Sequence, residues 1–186
     1  LLCKTIMRNI LYILLLVCSI GFSQSPLVLA SQQQAVDPAI YTFANAANPT
    51  ETNATTGFTN EINVSHTSVT SSPTPQDGTY CILQTNTGAN NTSSRGATSF
   101  TTDGSSTYEI KVYLQEVTGT NWTVALFSGD GWAVSDTQNV TAVGTWVEYT
   151  LTAVSTTTTG SIRFSGSSSS DNGDKIAIDN IRVTKL

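Results

Sequence analysis

The sequence predicts an all-β protein: an antiparallel β-sandwich of about eight or nine strands in two sheets packed face to face. Three observations lead there. Tyr108, Ile110, Val112 and Leu114 alternate with Glu109, Lys111, Tyr113 and Gln115, so one side of that run enters a core and the other meets water. Other short apolar runs follow, punctuated by Gly, Ser, Thr and Asp. Beyond residue 30 no stretch carries the 3.6-residue apolar spacing of an amphipathic helix.

The chain opens with Lys4 and Arg8 ahead of an apolar run from Ile10 to Ile20, which is too short to span a bilayer. Small residues then appear at Gly21 and Ser23 and again near Ala30. Residues 1–30 therefore read as a secretory signal peptide with either cleavage point open, and the mature chain as secreted or at the cell surface, with no membrane span. Val17 is not the small residue that lipid attachment at Cys18 prefers. Gln-rich residues 31–37 read as a linker and residues 38–186 as one domain, long enough to bury a core without disulfides.

Within that domain Ile40–Phe43 is the expected opening strand, and Asn45–Asn60 a long polar loop. Glu61–Val64 with Ser68-Val69 gives a weak second strand. Prolines and the Asp77-Gly78 pair turn the chain before a third, Thr79–Thr85. Gly96–Phe100 leads to the Asp103-Gly104 turn. Then come Tyr108–Gln115, Asn121–Phe127, Thr145–Ala153, Ser161–Phe164 and a closing strand, Lys175–Val183, with a carboxylate in its middle at Asp179. No period of 20 to 50 residues repeats, which excludes a solenoid or propeller.

Charge and cysteine content narrow the function. Without the leader six basic residues face thirteen acidic ones, a net charge of −7, so clustered cations for nucleic-acid phosphates are missing. Cys3 and Cys18 precede the domain, leaving Cys81 alone, a buried and inert thiol by its apolar neighbours. His66, the one histidine, has no triad context and reads as a loop or surface residue. Paired carboxylates at strand spacing and zinc-type ligand spacings are missing too, so the chain does not read as an enzyme.

Five segments in order carry a resemblance: Asn48-Pro-Thr-Glu51 with Gly57-Phe58, Asp77–Leu83, Thr107–Tyr113, Gly144–Leu151 and Ile176–Val183. Together they resemble the jelly-roll carbohydrate-binding modules of the family 4/9 and galactose-binding-like type, over residues 40–186. The early segment departs from that pattern by lacking an aromatic residue before Glu51. The resemblance implies a jelly roll, a polysaccharide or glycan partner, an appended or neighbouring glycoside hydrolase, and a structural calcium between the first loop and the last strand. Asp179 is the first candidate ligand, with Glu51, Asp77 and Asn48 after it; calcium takes carboxylate and carbonyl oxygens. The other reading of Asp179-Asn180 is a bulge or a loop cap with no ion.

A sugar site needs rings that stack on a pyranose face and polar groups for its hydroxyls. The outward candidates are Tyr113, flanked by Lys111 and Gln115, together with Phe127 and Arg163. Trp132, in the Gly129–Trp132 loop, is either a lid over the core edge or a ligand platform. Tyr108, Trp146 and Tyr149 read as core or core edge, and Trp122 as core. The contrasting reading is a structural or adhesive module without a sugar site.

Overall fold

The computed structural model describes residues 50, 53–90, 93–119, 121–127, 134–141, 143–167 and 169–186. Every regular element among them is a strand, and the strands form two antiparallel five-stranded sheets. In chain order they are β1 (Phe58–Ile62), β2 (Val64–Val69), β3 (Cys81–Asn86), β4 (Ser94–Thr101), β5 (Thr107–Thr118), β6 (Trp122–Phe127), β7 (Val134–Asn139), β8 (Val147–Val154), β9 (Thr159–Gly166) and β10 (Lys175–Lys185). Sheet A has the order β1-β4-β9-β6-β7 and sheet B the order β2-β3-β10-β5-β8. Ten strands exceed the eight or nine expected. β1 begins at Phe58, inside the stretch read as loop, and β7 carries the unforetold polar sequence Val-Ser-Asp-Thr-Gln-Asn. The expected strand Ile40–Phe43 lies outside the described residues.

The two inner faces meet in one core. Ile110, Val112, Leu114, Ile176, Ile178, Ile181 and Val183 from sheet B pack against Phe100, Trp122, Val124, Leu126, Ile162 and Phe164 from sheet A, most of them fully buried. Burial alternates residue by residue from Thr107 to Val117, as the period-two pattern requires. β10 runs between β3 and β5, and its pairing with β5 slips between Asp179 and Arg182. That slip is a bulge, with Asn180 in the left-handed region at φ 45, a conformation Asn tolerates better than most residues.

Two features of the frame bear on later argument. The Gln84 amide, fully buried on β3, crosses between the sheets: its Nε2 donates to the Phe164 carbonyl at 2.9 Å and its Oε1 faces His66 Nε2 at 3.0 Å. At the other side of the sandwich, β8 is the last strand of sheet B. Its Thr152 N–H donates to Asp136 Oδ2 at 2.9 Å and its Thr150 carbonyl accepts from Gln138 Nε2, both side chains belonging to β7.

His66 is therefore on a strand and not in a loop, and it is half-buried. It faces inward from β2, with Nδ1 2.5 Å from Asn60 Oδ1, and its ring lies 5.1 Å from that of Phe58. Burial pushes its pKa below the ordinary 6.5, and the Gln84 bond only partly opposes this. The unfolded chain then binds a proton more readily than the fold does. The resulting stability is present above pH 6.5 and is lost as pH falls through the lowered folded value. Burial raises the pKa of both Glu116 and Asp179, and these two act in the opposite sense as pH falls. The His66 contribution should thus appear as a difference: the melting temperature of the wild type falls relative to His66→Gln as buffers go from about pH 8 to about pH 5.5. Parallel curves would show that the imidazole is not desolvated.

Candidate functional site

The register between strands decides which side chains share a face. Ala97 on β4, Arg163 on β9 and Ala125 on β6 stand side by side, and Ser99, Ser161 and Phe127 form the next row. Their neighbours Ile162 and Phe164 point into the core, so these rows lie on the outer face of sheet A. The Arg163 guanidinium sits 4.0 Å above the centroid of the Phe127 ring, a cation–π contact. Its Nε donates to Glu61 Oε1 at 3.2 Å, while Glu61 Oε2 lies 2.5 Å from Arg95 Nε. Ala97, Ala125, Ser99 and Ser161 are small, which lets this Arg95–Glu61–Arg163 set lie low on the sheet between flanking strands. Phe127 and Arg163 were both expected to be open. Register brings them together, but Arg163 covers the ring, and exposure falls to 6% for Phe127 and 9% for Arg163.

Tyr113, Lys111 and Gln115 occupy the opposite side of the molecule, the outer face of sheet B. Tyr113 stands across from Glu148, which pairs with Arg182, and the Arg182 guanidinium is 5.8 Å from the Tyr113 ring. Lys111 Nζ lies 3.2 Å from Glu109 Oε1. The six expected sugar contacts thus do not converge on one groove. Two share sheet A and three share sheet B, while Trp132 lies outside the described residues. Glu61 and Arg95 are additions that sequence reasoning passed over.

Trp146 is a correction, because it does not enter the core. The pairing of Val147 with Leu114 sets Trp146 beside Gln115 on the outer side, half-buried, with Nε1 donating to the Thr74 carbonyl at 3.0 Å. Tyr108, Tyr149 and Trp122 are core residues as expected. The Tyr149 and Tyr108 hydroxyls accept from the Thr141 and Asp103 N–H groups at 2.9 and 3.0 Å. Cys81 is buried, with Sγ 3.7 Å from the Pro73 carbonyl.

The segment around Gln76 and Asp77 lies across the outer face of β10. Asp179 is fully buried beneath it. Its Oδ2 accepts from Gln76 N–H at 2.7 Å and from Asp77 N–H at 3.2 Å, and its Oδ1 from Asn180 N–H at 2.7 Å. Thr50, also fully buried, joins the last strand here, its Oγ1 accepting from Asn180 N–H at 3.2 Å. Burial raises the Asp179 pKa, and these donors partly offset that. As a cation site the described residues supply one carboxylate and two neutral oxygens, Thr50 Oγ1 and Gln76 Oε1, among donors that already satisfy the carboxylate. Calcium sites need more negative oxygen than that. Asp77 is exposed, and its Oδ1 accepts from the N–H of its neighbour Gly78 at 2.9 Å. Among the described residues no three His, Cys, Asp or Glu side chains converge on a metal-sized space. Glu51 and Asn48 lie outside the described residues.

No protein-family model matches the chain, and no curated protein matches it by sequence. Solved structures do match by fold. The xylan-binding CBM22-1 domain of Paenibacillus barcinonensis Xyn10C superposes with a TM-score of 0.50 at 16% identity, covering 73% of this chain and 90% of that one. The CBM22-1–CBM22-2 tandem of the same protein gives 0.54 at 15% identity, over 80% of this chain and 46% of that one. An arabinose-bound GH51 α-L-arabinofuranosidase gives 0.57 at 14% identity over 80% of this chain, which spans 27% of the enzyme's length. The fold is that of the jelly-roll carbohydrate-binding modules.

Proposed function

We infer that this is a secreted, non-catalytic sugar-binding module that holds a polysaccharide against the outer face of sheet A. The observation that carries the reading is the Arg163 guanidinium, stacked at 4.0 Å on Phe127 and held by Glu61 between two alanines. Arg163 keeps 9% of its surface open, and a guanidinium edge fixed in this way offers that remainder to paired hydroxyls at little further entropic cost. Trp132, which lies outside the described residues, is the candidate stacking ring in this reading. Xylan-type polymers are the first class to try, because the fold is shared with a xylan-binding domain, and a glycoside hydrolase is the expected partner.

Affinity electrophoresis in gels containing xylan, β-glucan, laminarin or alginate tests the reading. Retardation is expected in at least one gel. There Arg163→Ala should weaken binding about 10- to 100-fold, as loss of a hydrogen bond to a charged group does. One observation favours the structural or adhesive reading instead: among the described residues no open aromatic ring lies on this face. Free migration of folded protein in all four gels would establish that reading.

Calcium enters this proposal only with Glu51 as a second carboxylate beside Asp179, because the described oxygens alone do not make a site; an ion so held would tie the chain near residue 50 to β10. If so, excess EGTA lowers the melting temperature, calcium restores it, and Asp179→Asn loses the response. An unchanged midpoint in EGTA would remove calcium from the account.

A further inference from the structure

We propose that the outer face of sheet B is a second, separate sugar platform, and that the protein cross-links polysaccharide chains. Tyr113 on β5 and Trp146, the residue just ahead of β8, are both half-buried on this side, with the Glu148–Arg182 pair beside Tyr113. The indole is fixed in place by its bond to the Thr74 carbonyl, so its orientation is set before any ligand arrives. Two rings, the indole held in place, together with an amide, a carboxylate and a guanidinium match the needs of a pyranose: stacking for its C–H face, donors and acceptors for its hydroxyls. A partner protein would be expected to meet a broader apolar surface than this. The charges present come as an internal pair, which suits a neutral glycan.

This platform and the Arg163 face lie on opposite sides of two sheets packed roughly 10 Å apart. One extended polysaccharide cannot touch both faces without wrapping around the sandwich. Two bound sites therefore engage two chains, and a bivalent binder raises its hold on a polymer network without new contacts. The inference rests on the binding reading above for the sheet A half alone.

Light scattering with soluble xylan, β-glucan and laminarin, run beside the retarding gels, separates the possibilities. Wild type is expected to raise scattering at intermediate protein-to-polymer ratios. Trp146→Ala and Tyr113→Ala should abolish that rise while remaining retarded, and Arg163→Ala should abolish it as well. Trp146→Phe keeps a ring and should retain most of the rise. Melting curves confirm that each variant is folded. Should wild type be retarded without scattering, or Trp146→Ala and Tyr113→Ala scatter like wild type, the second platform is overturned and the first reading stands. Loss of retardation in Trp146→Ala with normal retardation of Arg163→Ala would overturn both the cross-linking and the placement of the first site on sheet A. Wild type that migrates freely would overturn the binding reading itself, and this inference with it.

Discussion

Asp179→Ala is expected to cost about 3 kcal/mol of folding stability, since it leaves buried N–H donors without an acceptor. Those of Gln76, Asp77 and Asn180 all converge on this carboxylate, from two parts of the chain about a hundred residues apart in sequence. Removing it unties the Gln76-Asp77 segment from β10 and exposes the outer side of Cys81 and Ala177, both fully buried in the intact protein. Urea unfolding followed by Trp fluorescence measures the loss. Faster cleavage by a protease near Pro73–Gly78 should accompany it. Asp179→Asn keeps one acceptor oxygen and should recover part of the stability in EGTA, where no ion contributes. A cost below about 1 kcal/mol for the alanine variant would mean that water replaces the carboxylate freely, and that this tie does not hold the segment.

Gly96→Ala should be nearly as damaging, about 3 kcal/mol, through overpacking and a displaced buried hydrogen bond. A Cβ at residue 96 would lie 2.3 Å from Gln84 Oε1 and 2.5 Å from His66 Nε2, closer than atoms can approach. Gln84 cannot retreat, because its amide nitrogen is committed to the Phe164 carbonyl. His66 is held from behind by Asn60. Gly144→Ala is the control: nothing lies within 4 Å of its added carbon, and only its φ of 67° resists, so about 1 kcal/mol is expected. If the two substitutions prove equal in thermal melts, the inter-sheet amide bridge is looser than its geometry.

Much of the fold was legible because burial on one face writes itself into alternate residues. β5 and β10 are long, paired on both sides and strongly patterned, so their limits lay within three residues of those read from sequence. β7 was missed because its side chains serve hydrogen bonds, with Asp136 and Gln138 turned to β8, and such a strand carries no apolar period. The misplacement of Trp146 was avoidable. Trp146 and Tyr149 are three residues apart and cannot share a face of an unbroken strand, and Val147, Tyr149 and Leu151 already formed an inward set. The candidate site was less legible for a different reason. Outward orientation follows from position within one strand, and Phe127, Arg163 and Tyr113 were assigned correctly on that basis. Which sheet each strand joins depends on pairing between distant segments, so sequence could not divide these residues between two faces. Glu61 likewise gains meaning only once β1 lies beside β4 and near β9.

The two β7 side chains that bind Thr150 and Thr152 occupy the very backbone groups through which a stray strand would zip onto the rim of sheet B. The rim of sheet B is thus blunted at two of the points where another copy's strand would pair.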